Sequence, residues 1–236
     1  MAGDRRERIL ELLVGVTARG FETKRLCTVG ADITKLTGAG IMLMSGDITS
    51  GSVCTSNAVS ALVEQLQFEL GEGPCVDAYR GDCPVLEPDL ADPVEIRWPA
   101  FTEPAVAAGV RSVFGFPMRV GAARLGALNL YRDAPGALSD EQHSDALVMA
   151  GVAAEVVLLL QAGAAPGQLA AELEAGADFQ YVVHQAAGMI AAQLDVSVAE
   201  ALIRLRARAF GTGRPLAGVA EDVVKRVVRF DKGDDQ

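Results

Sequence analysis

The 236-residue chain is poor in the residues that build metal and redox centres. It has two histidines, His143 and His184, far apart in sequence, and four cysteines, Cys27, Cys54, Cys75 and Cys83, none of them in a Cys-x-x-Cys pair. Zinc and iron–sulfur sites draw on closely spaced Cys and His ligands, so neither is expected. No run of about 18 uninterrupted apolar residues occurs, which argues against a transmembrane helix. The opening MAGDRRERILELLVGVTARG begins with charges, and its short apolar run is broken by Glu11. It reads as an amphipathic helix, not a signal peptide. A cytoplasmic location and reduced cysteines are therefore expected. An excess of positive charge is also missing. The net charge is −10, which argues against non-specific nucleic-acid binding by the chain as a whole.

Apolar residues are plentiful, at 50%, enough to build a core rather than a disordered chain. The length suits one large domain or two small ones. Charge is unevenly spread. Residues 180–230 hold seven basic side chains (Arg204, Arg206, Arg208, Arg214, Lys225, Arg226 and Arg229) and four acidic ones (Asp195, Glu200, Glu221 and Asp222), a net +3 that leaves −13 for the rest. The chain thus carries a basic C-terminal module on an acidic body.

Periodicity orders the body. A helix is expected over 4–18, with Ile9, Leu12, Leu13 and Val16 on one stripe, and a second over 23–37. Strand-like runs at 40–45 and 51–56 flank a Gly-Asp-Thr-Ser turn, a hairpin signal. A helix follows in AVSALVEQLQFEL, with Val59, Leu62, Val63 and Leu66 on one face. GEGPC stops it, and Pro74 can open a short helix over 75–80. A lone short strand, a helix over 98–108 and a second hairpin (RSVFGFPMRV, RLGALNLYRD) come next. Ser139 and Gln142 form a capping-box pattern for a long helix from 140 to about 161. Mixed helices and hairpin-joined strands predict an α+β layer structure with an antiparallel sheet.

AGAAPGQ, 162–168, marks a boundary. Beyond it, three amphipathic helices are expected. The first, about 179–194, carries Val183, Ala186, Ala187, Ile190 and Leu194. The second, 198–210, is capped by Ser197 with Glu200 completing a capping box, and carries Val198, Ala201, Leu202, Leu205 and Ala209. The third opens at Pro215, with Leu216, Val219, Ala220, Val223, Val224 and Val227 on its stripe. Short connections make this a three-helix bundle. Arg204 and Arg208 fall on one flank of the second stripe and Arg206 on the other, available to phosphates. No aromatic stacking platform for splayed bases is evident.

The stretch VVHQAAGMIAAQLDVSVAEALIRLRARAFGTGRPLAGVAEDVV resembles the ANTAR domain, an RNA-binding antitermination module of bacterial regulators. The residues that carry the resemblance are Ala186 and Gly188, the turn before Ser197, Ala201, Leu205-Arg206, Ala209, Arg214, Leu216 and Val219-Ala220. In one departure, Ala187 stands where the family commonly has Lys. GEGPC (71–75), PDL (88–90), RWPAF (97–101), GVRSVFGFPM (109–118) and GALNLYRD (126–133) resemble a GAF domain, as found ahead of ANTAR in actinobacterial regulators. The resemblances imply a GAF sensor over 1–161, a connecting segment over 162–178, an ANTAR unit over 179–230 and a tail over 231–236. They further imply a homodimer that binds paired RNA stem-loops through His184, Gly188, Arg206, Arg208, Arg214 and Lys225, without catalysis. A small-molecule GAF ligand would fit the sensor role, but no haem or bilin anchor is recognisable and no cofactor is named. Two alternatives remain. One is a GAF-fold thiol enzyme, akin to free methionine sulfoxide reductases, working through Cys75 and Cys83. The other is a protein-interaction regulator that has lost RNA binding with the missing Lys.

Overall fold

The computed structural model describes residues 2–14, 22–46, 48–165, 170–176 and 180–231. The expected stripe position Val16, parts of the connecting segment and most of the tail lie outside these residues. The chain divides into two compact units, one built from most of the residues up to 179 and the other centred on 180–236.

The first unit is an α+β layer structure. In chain order it comprises α1 (Ala2–Val14), α2 (Lys24–Thr34), β1 (Gly38–Ser45), β2 (Ile48–Thr55), α3 (Ala58–Leu70), α4 (Pro74–Gly81), β3 (Val85–Glu87), α5 (Pro99–Ala107), β4 (Ser112–Val120), β5 (Ala123–Arg132), α6 (Asp140–Ala162) and the short α7 (Ala171–Gly176). The strands form one sheet in the order β2-β1-β5-β4-β3. β1 pairs antiparallel with β5 so that Gly40 faces Asn129, and β4 pairs antiparallel with β5 so that Gly115 faces the same Asn129. Both expected hairpins and the lone strand are present. The second helix is shorter than its pattern implied: it stops at Thr34, where Lys35 turns left-handed at φ 54, and Gly38 opens a strand instead of ending the helix.

One face of the sheet carries the apolar core. Ile41, Phe114, Phe116, Met118, Leu128 and Leu130 pack against α2 and α6, with Ile9 and Leu13 of α1 joining them. Ser139 caps α6 by accepting the N–H of Gln142, and the Gln142 side chain accepts the N–H of Ser139 in return. Among the described residues α6 is long and apolar enough to cross a membrane. Its Ala146, Met149, Ala150, Ala153 and Val157 are buried in this core, which accounts for that composition.

The cysteines depart from expectation. Cys27 on α2 and Cys54 on β2 form a disulfide, with Cα atoms 6.0 Å apart. Both side chains are buried where helix and strand meet. A separation of 27 residues matches no local motif, so the pairing is set by tertiary structure alone.

The opposite face explains the two glycine-bearing motifs. Pro74 sits at the first turn of α4, which lies so close to β4 that a Cβ on Gly115 would stand 2.3 Å from the Pro74 carbonyl oxygen. Glu72 of GEGPC reaches the start of α5, where its Oε1 accepts the N–H groups of Ala100 (2.7 Å) and Phe101 (2.9 Å). Two otherwise unsatisfied amides of the first helical turn are thereby paired. Trp98 donates its indole N–H to Asp77 on α4 at 2.8 Å. GEGPC and RWPAF are therefore joined by hydrogen bonds into one structural clasp.

Helix α3 presents a different face from the one its apolar spacing suggested. Ser60, Val63, Glu64, Gln67 and Phe68 point inward, while Leu62 is exposed and Leu66 only half-buried. Gly40 is the reason. A Cβ there would lie 2.6 Å from Cγ of Glu64, so the bare strand makes room for the longer polar side chain.

The second unit is the three-helix bundle, α8 (Tyr181–Leu194), α9 (Val198–Gly211) and α10 (Leu216–Val224), with all three helices packing pairwise. Val183, Ala186, Ala187 and Ile190 of α8, Ala201, Leu202 and Leu205 of α9, and Leu216, Val219, Ala220 and Val223 of α10 fill its core. The third stripe ends sooner than its period implied. Arg226 turns left-handed at φ 61, Val227 is exposed, and Phe230 folds back into the core, its N–H donating to Gln193 Oε1 at 3.0 Å. Pro215 precedes the helix as its cap residue.

Candidate nucleic-acid interface

On α8 one flank lies outside the buried stripe. Tyr181, Gln185 and Gly188 are exposed on it and His184 is half-buried. Gly188 is helical, and a Cβ there would meet nothing within 4 Å among the described residues. Packing therefore does not require glycine at this position, and neither does backbone conformation. An interior helical glycine costs about 1 kcal/mol relative to alanine. The neighbouring Ala187 is fully buried. Its small side chain fits the bundle core, where a Lys would have to thread its stem outward to reach solvent.

α8 ends at Asp195, which is left-handed at φ 59, and the chain turns through 107° into α9. Ser197 Oγ accepts the N–H of Glu200 at 3.1 Å. The Glu200 carboxylate, expected to complete a capping box, instead accepts from Arg204 one turn on, at 2.9 Å. Arg206 and Arg208 stand half-buried along α9, and the Arg208 guanidinium lies 5.2 Å from the centre of the Phe230 ring. At the end of α9, the Thr212 hydroxyl donates to the Arg208 carbonyl at 2.6 Å.

Arg214 follows in the turn and donates to Asp222 of α10 at 2.7 Å and to the Gly218 carbonyl at 3.5 Å. Lys225 donates to Glu221 at 2.7 Å. That contact holds the Lys225 ammonium above its ordinary titration range, first through the hydrogen bond and then through the carboxylate charge. The six residues singled out in the sequence thus fall into three groups. His184 and Gly188 share the flank of α8, Arg206 and Arg208 stand on α9, and Arg214 and Lys225 are tied to acids of α10. Exposed pairs of this kind are worth about 0–1 kcal/mol, so phosphate oxygens can replace the carboxylates at little cost.

Sequence periodicity missed the exposed large apolar residues of this unit. Ile203 is 62% and Phe210 71% exposed on α9, and Tyr181 is 60% exposed on α8. Aromatic surfaces are thus present where none was expected. The available signal was the i, i+4, i+7 spacing of Ile203, Ala207 and Phe210, which lies outside the buried stripe.

The first unit holds a second polar site, on the sheet face opposite the main core. Glu64, Gln67, Cys75 and Asn129 are buried around Gly40 and Gly115. Gln67 Oε1 accepts the Cys75 N–H at 2.7 Å. Among the described residues, both carboxyl oxygens of Glu64, the Gln67 amide nitrogen and Asn129 Oδ1 meet no hydrogen-bond partner of good geometry. Burial pushes the Glu64 carboxyl up from 4.5 to about 8, with Asn129 opposing the shift. Glu64 is therefore neutral at pH 7. Burial, and then the Glu64 charge, push the Cys75 thiol well above its ordinary range, the reverse of what a thiolate nucleophile needs. Cys83 is exposed. Among the described residues no group of His, Cys, Asp and Glu could hold a metal.

Residues 171–224 match the ANTAR domain family. Two solved GAF domains, both from phosphoenolpyruvate-protein phosphotransferases, resemble the first unit in fold. The one from Acinetobacter is 15% identical, has a TM-score of 0.51, and the match covers 69% of this chain and 96% of that one. The one from Coxiella burnetii is 14% identical, has a TM-score of 0.52, and the match covers 68% and 95%. No curated protein matches the chain. The chain thus joins a unit with the GAF fold to a segment that matches the ANTAR family.

Proposed function

We propose that this protein is an RNA-binding transcription antitermination regulator. A sensor over 1–161 is joined by 162–178 to an RNA-binding unit over 179–230. The sensor responds to a small molecule and controls the binding unit, which grips stem-loops in nascent transcripts and keeps a terminator from forming. The protein works in the cytoplasm as a homodimer, each ANTAR unit taking one of two stem-loops.

The observation that carries this reading is the ANTAR match, which spans the basic helix α9 and the exposed flank of α8. In that unit Arg206, Arg208, Arg214 and Lys225 meet phosphates, while Gly188 and His184 let the RNA approach the α8 backbone. Phosphate contacts give affinity that falls with salt. The test is binding of purified dimer to paired hairpin RNA against unrelated RNA across a salt series. Preference for hairpins, weakened in Arg206→Ala and Arg214→Ala, supports the reading. Equal binding to both RNAs refutes it.

The thiol-enzyme reading finds no support at Cys75, whose sulfur is buried and hard to ionise. Steady turnover of methionine sulfoxide, abolished by Cys83→Ser, would revive it.

A further inference from the structure

Ile203, Ala207 and Phe210 follow one another at i, i+4 and i+7 and are all exposed on the face of α9 opposite the bundle core. Successive members of such a set are neighbours on a helix surface, so they form one continuous apolar strip that ends at an aromatic ring. By the same geometry Arg206, one turn before Phe210, borders one edge, and Arg204 borders the other, while Arg208 leans toward the core against Phe230. The strip itself carries no acidic side chain, and Glu200 at its far end is held by Arg204.

This charge pattern selects the occupant. A second copy laid face to face on the strip would set arginines against arginines, and like-charge juxtaposition is costly. A hydrocarbon strip bordered by cations suits a flat, apolar ligand on an anionic backbone. An unpaired nucleobase meets that description, since its π-face stacks on aromatic rings while its phosphates meet basic side chains.

We propose that the Ile203–Ala207–Phe210 strip is a base-stacking platform on which Phe210 receives an unpaired base of the RNA loop. The proposal rests on the RNA-binding reading and adds to it a recognition element for the loop, separate from the phosphate contacts. Every nucleobase has a π-face, so Phe210 supplies affinity for an unpaired base, and selectivity for unpaired over paired RNA, without naming the base.

The test uses the full chain and hairpin RNA with a fixed stem and a randomised loop. From this pool a tight binder is selected with the wild type. That hairpin is then compared with the same stem as a fully paired duplex and with the same hairpin bearing abasic loop sites. Phe210→Ala is expected to weaken hairpin binding on the order of ten- to a hundredfold. The salt slope should stay as in wild type, because no phosphate contact is lost. Phe210→Trp should retain binding, while Phe210→Leu, which keeps apolar bulk without a ring, should lose it and decides the matter if the alanine variant fails to fold. The abasic loop should be insensitive to all three changes.

Wild-type affinity in Phe210→Leu overturns the stacking role. So does an equal loss on duplex and hairpin. A change in oligomeric state would instead identify the strip as a protein contact. If the wild type prefers no hairpin at all, the RNA reading itself falls and the platform falls with it.

Discussion

Glu64→Gln should stabilise the GAF-fold unit at neutral pH. Glu64 is buried against Gly40, and among the described residues its two carboxyl oxygens meet no hydrogen-bond partner of good geometry. Its value of about 8 in the folded unit compares with an ordinary 4.5. Because the folded value is the higher one, the contribution favours folding fully below pH 4.5 and is lost as pH rises through 8. In between, the unfolded chain ionises Glu64 while the folded chain keeps it neutral. At about 1.4 kcal/mol per pH unit, the wild type at pH 7 forgoes about 3 kcal/mol of the stability it has at low pH. A glutamine has nearly the same shape, does not ionise, and can donate to the unpartnered Asn129 Oδ1. The assay is urea unfolding at several pH values, followed through Trp98, the one tryptophan, which is buried in this unit. The variant should gain about 3 kcal/mol over wild type at pH 7, and the gain should shrink toward zero near pH 4.5. A pH-independent difference, or a less stable variant at pH 7, would refute the argument.

Further outcomes follow from the other sites. Gly188→Ala should raise the stability of the bundle by up to about 1 kcal/mol, read as helical unfolding by circular dichroism, and should weaken hairpin binding if RNA approaches the α8 backbone. A Cys27→Ser/Cys54→Ser variant should lose about 3 kcal/mol of stability, as expected for removing a cross-link that closes a loop of this length; unchanged urea midpoints would count against that role. A thiol reagent applied to native, non-reduced protein should label Cys83 and leave Cys75 untouched until unfolding, as peptide mapping would show. Arg206→Ala should lower the salt slope of RNA binding by about one, whereas Phe210→Ala should leave it alone.

The α+β order, both hairpins and the three C-terminal helices were legible in the sequence because their signals are local. Ser139 and Gln142 sit three residues apart and cap each other, and Leu216, Val219, Ala220 and Val223 repeat at a helical period. Features made by distant segments were not legible. The inward face of α3 depends on the missing side chain of Gly40, and the Cys27–Cys54 bond depends on α2 meeting β2. At the candidate interface, the basic residues could be placed on their helices by period alone. The open space beside Gly188 among the described residues and the burial of Ala187 emerge only once α9 and α10 are in place. Phe210 is illegible for a different reason: apolar period marks the face a helix buries, and Phe210 stands on the opposite, exposed face of α9.

The most direct test of antitermination is crosslinking of RNA to the protein in cells, followed by sequencing of what is bound. Nascent transcripts carrying two neighbouring stem-loops that overlap a terminator should be enriched, and the enrichment should be lost in Arg206→Ala. Recovery of only abundant ribosomal and transfer RNA, unchanged by that substitution, would contradict it.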